Sequence, residues 1–151
     1  PACGPADMPR ILDARNAGPF VFRLSFEHSL KTVIYMPDFL LQDLRELYPR
    51  LYEKLMFAMR DHIRSMQRFI DAGAEAGVFR RVSAPLYVIQ DETVLRRLFE
   101  PSFSIQFDVT LKQALIEYYL LKKHQLIVPE MLHALDDAEA ERDIARLIQR
   151  I

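Results

Sequence analysis

Apolar positions recur at helical spacing through most of this chain. Phe22, Phe26, Ser29/Leu30 and Val33 follow one another at intervals of three and four residues, which predicts an amphipathic helix from Phe20 to about Tyr35. Pro37 stops it, and Asp38 is a suitable N-cap for a short helix carrying Phe39, Leu40, Leu44 and Leu47. Pro49 then opens the longest stripe, Leu51, Leu55, Met59, His62, Met66 and Phe69/Ile70. Arg50, Lys54, Arg60, Arg64, Arg68 and Asp71 lie off that stripe. Gly77 is placed to end this helix in a left-handed residue, with Phe79 turning back as the accompanying apolar contact.

Three further helices follow from the same periodicity. Ser83 can cap the fourth, with Leu86, Tyr87, Ile89/Gln90, Val94 and Leu98 on its apolar face. A fifth runs from about Phe103 to Lys123 through Phe107, Leu111, Leu115, Tyr118/Tyr119 and Lys122. A sixth begins at Pro129 and carries Met131, Leu132, Leu135, Ile144, Leu147, Ile148 and Ile151, with Asp136-Asp137 as a possible break. No run alternates convincingly as a strand. The expected fold is an all-α bundle of five to six helices over residues 20–151. Residues 1–19, rich in Pro, Gly, Ala and Asp, read as a loop or the remnant of a preceding domain.

Composition narrows the function. Twenty basic side chains face twenty-one acidic ones, for a net charge of -1. A domain that grips a nucleic-acid backbone carries a basic excess or stripe, because affinity comes largely from phosphate neutralisation. Direct DNA or RNA binding by these 151 residues is therefore not expected. No uncharged apolar run approaches the roughly 18 to 20 residues needed to span a bilayer, so no membrane segment is expected. The single cysteine, Cys3, allows no disulfide within the chain and favours a reducing, cytoplasmic setting. The chain starts at Pro1 without a signal-like segment and reads as a fragment whose natural start lies upstream.

The histidines raise two hypotheses. Glu130 and His133 form a Glu-x-x-His pair, the motif that di-iron helical bundles use twice. Ser25, Met59 and Leu121 stand three residues before the other histidines, so no second pair exists. No metal-ligand set, cofactor or catalytic group is expected; a ferritin-like metal enzyme stands as the rival reading. His62 lies on the apolar stripe between Met59 and Met66, either as a satisfied core imidazole or as the polar contact of an apolar ligand cavity. Met56, Met59 and Met66 add flexible thioethers on the same helix. Arg80-Arg81, Arg96-Arg97 and the acidic run Asp136 to Asp143 read as solvated surface.

The stretch Asp43-Leu44-Arg45-Glu46-Leu47-Tyr48-Pro49-Arg50-Leu51-Tyr52-Glu53-Lys54-Leu55 resembles the D-L-x-x-Y-Y-P-x-L-Y-E-K-L pattern of many TetR-family (tetracycline-repressor-like) regulators. Phe69-Ile70-Asp71-Ala72-Gly73-Ala74-Glu75-Ala76-Gly77-Val78-Phe79-Arg80 is similar to the family's I-x-x-G-x-x-x-G-x-F-R helix ending, and Val82-Ser83-Ala84-Pro85 to its next turn. The resemblance covers residues 37 to 90. It implies the helical effector-binding and dimerisation domain of a transcriptional regulator, whose DNA contacts belong to an amino-terminal helix-turn-helix domain absent here. Lys122-Lys123-His124-Gln125 departs from the Gly-containing segment the family often shows near its end.

Under that resemblance the partners are a second copy of the chain and a small, mainly hydrophobic effector. Phe22, Phe26, Tyr52, Met56, Met59, His62, Met66 and Phe107 are the expected ligand-binding residues. Leu111, Leu115, Tyr118 and Tyr119 are the expected dimer surface. A helical interaction module without a ligand is the remaining alternative, favoured by a filled core around His62.

Overall fold

The computed structural model describes residues 14–151. Seven α-helices follow in order: α1 Ala14–Tyr35, α2 Asp38–Leu47, α3 Pro49–Glu75, α4 Ala84–Leu98, α5 Pro101–Phe107, α6 Leu111–Leu126 and α7 Asp137–Ile148. A 3₁₀ helix, Pro129–Ala134, lies between α6 and α7. The all-α expectation holds, with eight helical elements where five to six were expected. Among the described residues the only strand-like pairing is an isolated antiparallel bridge, Phe79 with Ile127. None of these helices is long and apolar enough to cross a membrane.

Helix α1 is the central element, packed against α3, α4, α7 and the 3₁₀ helix. Its stripe is the one periodicity predicts: Phe22, Phe26, Leu30 and Val33 are all buried. Tyr118 and Tyr119 of α6 meet it with tilted and edge-on rings at 5.2–6.1 Å, a geometry that suits aromatic quadrupoles. Helix α7 closes the bundle with Ala140, Ile144 and Leu147. Arg23 of α1 reaches Glu139 of α7 at 2.5 Å and Lys123 of α6 reaches Asp137 at 2.8 Å.

Helix α1 already begins at Ala14, so part of the segment read as loop is helical; residues 1–13 lie outside the described set. Composition misled here because Gly18 and Pro19 serve packing. A Cβ on Gly18 would lie 2.9 Å from Val78 Cγ1, so the missing side chain is what lets α1 approach the end of α3.

That end of α3 is a glycine-dependent cap. Gly77 has φ +78, the left-handed conformation that costs a Cβ-bearing residue most. The amides of Val78 and Phe79 both donate to the Gly73 carbonyl, at 2.9 and 3.1 Å. Phe79 folds back over Gly73 and meets the Phe69 ring edge-on at 5.0 Å. A Cβ on Gly73 would drive into the Phe79 ring. Strand-like hydrogen bonds then tie this turn to the end of α6: Arg80 N–H donates to Leu126 O, and Val128 N–H to Val78 O.

Several boundaries differ from the expectation for identifiable reasons. Pro37 rather than Asp38 occupies the N-cap of α2, and the Asp38 carboxylate instead pairs with Arg96 at 3.3 Å. Ser83 does sit at the N-cap of α4 but makes no side-chain cap bond. Gln67 of α3 performs that task, accepting from Ala84 N–H at 2.8 Å and donating to Val82 O at 3.4 Å. The long fifth helix breaks at Asp108, whose φ of 50 ends α5. It restarts at Thr110, which forms a reciprocal capping box with Gln113. Asp136 caps α7 through Ala138 N–H, so the acidic pair does divide the last element.

Gly73→Ala should destabilise the domain by roughly 1–3 kcal/mol in urea unfolding, because the new methyl must displace the Phe79 ring from a filled core. A loss under about 0.5 kcal/mol, the range of ordinary surface substitutions, would contradict this close-packed cap.

Candidate functional site

One charge stands on the inward face of α4. The buried residues of that helix are Ala84, Tyr87, Asp91, Leu95 and Leu98, so Asp91 occupies a core position between a tyrosine and a leucine. Of the expected apolar face, Tyr87 and Leu98 are buried and Val94 half-buried, whereas Leu86 and Ile89 are 72% and 51% exposed. A periodicity that counts only apolar residues skips Asp91, and the helix's phase shifts with it.

Lys122 of α6 compensates this carboxylate. Its side chain is fully buried, and its ammonium lies 3.0 Å from Asp91 Oδ1. The same nitrogen donates to Tyr87 O at 2.8 Å and to Gln90 Oε1 at 3.2 Å. It also rests 3.2 Å from the centre of the Tyr87 ring, a cation–π contact in a desolvated setting. All three ammonium donors thus have acceptors. Asp91 receives the Tyr118 hydroxyl on Oδ1 at 2.8 Å and the Ser29 hydroxyl on Oδ2 at 2.9 Å. The cluster joins α1, α4 and α6 at one point.

Its electrostatics follow from burial. Desolvation pulls the Lys122 pKa down, and the adjacent Asp91 charge opposes that shift. The Tyr118 and Tyr87 hydroxyls are pushed up by burial first and by Asp91 second. Breaking such a pair from one side leaves an uncompensated interior charge. The closed, fully partnered arrangement suits a positioning role at the crossing of three helices.

A second polar feature sits on the neighbouring face of α1. His28, next to Ser29, meets His62 of α3 with ring centres 5.0 Å apart and planes inclined at 44°. Burial lowers the His62 pKa, with a smaller effect from His28; burial and then Lys31 lower that of His28. Both imidazoles therefore favour the neutral form.

The expected ligand-binding residues differ in burial. Phe22, Phe26 and Met66 are buried in the core. Tyr52, Met56, Met59 and His62 are half-buried along α3, whose first half has no buried residue. Phe107 is 57% exposed at the end of α5, where it stacks on Phe103 and lies apart from the other seven. Its apolar spacing matched a helix that in fact ends there. A cavity of about 10 Å³ lies among Arg23, Phe26, Tyr119, Asp143 and Ile144, room for about one water. The hydroxyl of Tyr119, which lines this cavity, has no hydrogen-bond partner among the described residues. An open groove on the outer surface of α3 is lined by Arg50, Glu53, Lys54 and Phe57.

Three of the four residues expected at a dimer surface are buried within the single chain. Leu115, Tyr118 and Tyr119 are 1%, 5% and 2% exposed within one chain, because they are the face α6 turns toward α1 and α4. Leu111 is half-buried. Glu117, Leu121 and His124 occupy the outward face of α6 instead. Glu130 and His133 lie exposed on the 3₁₀ helix, and the described residues contain no group of three or more potential metal ligands of the His, Cys, Asp and Glu types.

The Asp91 cluster was missed because its members were either absent from the apolar pattern or counted as ordinary stripe positions. One signal was available: Asp91 is flanked at four-residue spacing by Tyr87 and Leu95, and Lys122 by Tyr118 and Leu126. Opposite charges on two apolar faces invite pairing. Comparison with protein-family models, curated proteins and solved structures finds no match for this chain.

The histidine pair has a measurable pH consequence. With folded pKa values below the ordinary 6.5, the unfolded chain binds more protons than the folded one in that region. Stability should be full above about 6.5 and fall as pH drops through it. Urea midpoints from about pH 7.5 to about 5.5 should show this decline, and His62→Gln should flatten it. An unchanged slope in that variant would refute the assignment.

Proposed function

We propose that this chain is the effector-binding and dimerisation domain of a TetR-like transcriptional regulator acting in the cytoplasm. The supporting observation is that the motif residues carrying the resemblance occupy the turning points of an all-α fold. Tyr48-Pro49 is the break between α2 and α3, and Gly73, Gly77 and Phe79 build the cap that ends α3. DNA is contacted by a separate helix-turn-helix domain, in keeping with the net charge of -1 on these residues.

The effector is a small hydrophobic or amphipathic molecule taken up along the half-buried face of α3, at Tyr52, Met56, Met59 and His62, beside α1. Flexible thioethers let such a face adjust to its ligand. Binding there acts on the dimer only through a difference in affinity between two helix arrangements. The second copy packs on the outward side of α4 and α6, where Leu86, Ile89 and Leu121 are 72%, 51% and 63% exposed.

The cavity beside Tyr119, with room for about one water, favours a second reading, a helical interaction module that dimerises without a ligand. Sedimentation equilibrium combined with titration of anilinonaphthalene sulfonate separates the two. The sensing reading predicts a dimer at micromolar concentration that Leu121→Asp dissociates, and dye binding that Met59→Glu weakens at least about fivefold, or ~1 kcal/mol. A dimer that binds no dye supports the interaction module; a monomer that binds none contradicts both.

A further inference from the structure

The histidine pair has the dimensions of a two-ligand metal site. Imidazole nitrogen binds a divalent transition ion such as zinc at about 2.0–2.1 Å, with nearly tetrahedral angles between ligands. Two rings sharing one such ion must then hold their centres roughly 5 Å apart. His28 and His62 stand at 5.0 Å, on two different helices.

We propose that His28 and His62 bind one first-row divalent transition ion of the Zn²⁺, Ni²⁺ or Cu²⁺ type across the α1–α3 seam. Three features of the surroundings agree. Both imidazoles favour the neutral form that coordination requires. His28, only partly covered, is the more exposed of the two rings and His62 is half-buried, so an ion would have an entry path and water could complete its coordination. The nearby cation Lys31 is engaged by Glu27 at 3.1 Å. Nitrogen ligands without a converging set of carboxylates select this class over Mg²⁺ and Ca²⁺, and the usual affinity order places Cu²⁺ above Ni²⁺ and Zn²⁺. An ion here would cross-link α1 to α3 and stiffen the seam beside Ser29, which carries α1 into the Asp91 cluster. The site does not depend on the effector reading.

The test is calorimetric titration of the whole chain with ZnCl₂, NiCl₂ and CuCl₂, with MgCl₂ as control. One ion per chain is expected at this site, with no Mg²⁺ binding. His28→Ala and His62→Ala should each weaken binding at least about tenfold. His28 is exposed, so its variant is the one least able to disturb folding, and far-ultraviolet circular dichroism checks that it remains helical. Zinc should shift or broaden the imidazole NMR signals of His28 and His62 and leave those of His124 and His133 in place. Unchanged affinity in His28→Ala, or shifts confined to His124 and His133, would overturn the proposal, as would no binding up to about 1 mM, the limit of a ~4 kcal/mol interaction.

Discussion

The arrangement of this domain turns on one buried ion pair, Asp91 with Lys122. Two charges were taken out of water at a cost of several kcal/mol each, and their attraction repays this only if every remaining donor and acceptor is partnered. Here that condition is met by groups from three helices: Ser29 of α1, the Tyr87 carbonyl and Gln90 of α4, and Tyr118 of α6. Because each partner needs its own geometry, the cluster fixes the rotation of α4 and α6 about their axes. It also accounts for the exposure of Leu86 and Ile89, since the face holding Asp91 inside turns them outward.

The interior is close-packed where it is apolar and fully partnered at this ionic centre; away from that centre, the Tyr119 hydroxyl is buried with no hydrogen-bond partner among the described residues. Room for adjustment lies at the other end of the molecule, where α2 and the first half of α3 have no buried residue. Phe39, Leu47, Tyr48, Leu51 and Phe57 are all exposed there. The His28–His62 contact stands between these two regions and touches both.

Much of the fold was legible in the sequence because apolar spacing and cap residues act locally. The α1 stripe, the Pro49 start, the Gly77 cap with Phe79 folded over it, and the break at Asp136 could all be read from neighbouring residues. What could not be read depends on partners distant in sequence. Gln67 capping α4 is one case, and Gly18 yielding space to Val78 is another. Asp91 lying on a core face is a third, because only Lys122 makes that tolerable. Individual site residues were read less well for the same reason. Periodicity identifies a face but not what covers it: the apolar spacing of Leu115, Tyr118 and Tyr119 fits a dimer surface equally well, yet all three are buried within one chain.

The most direct test is a double-mutant cycle on the central pair, read by urea unfolding of Asp91→Leu, Lys122→Met and the two together. Each single change should cost about 3–5 kcal/mol, because it strands a charge among apolar groups. The double variant should lose far less than the sum, giving a coupling energy of at least about 2 kcal/mol. Additive losses within about 0.5 kcal/mol would mean that the two charges are not the joint on which α1, α4 and α6 are set.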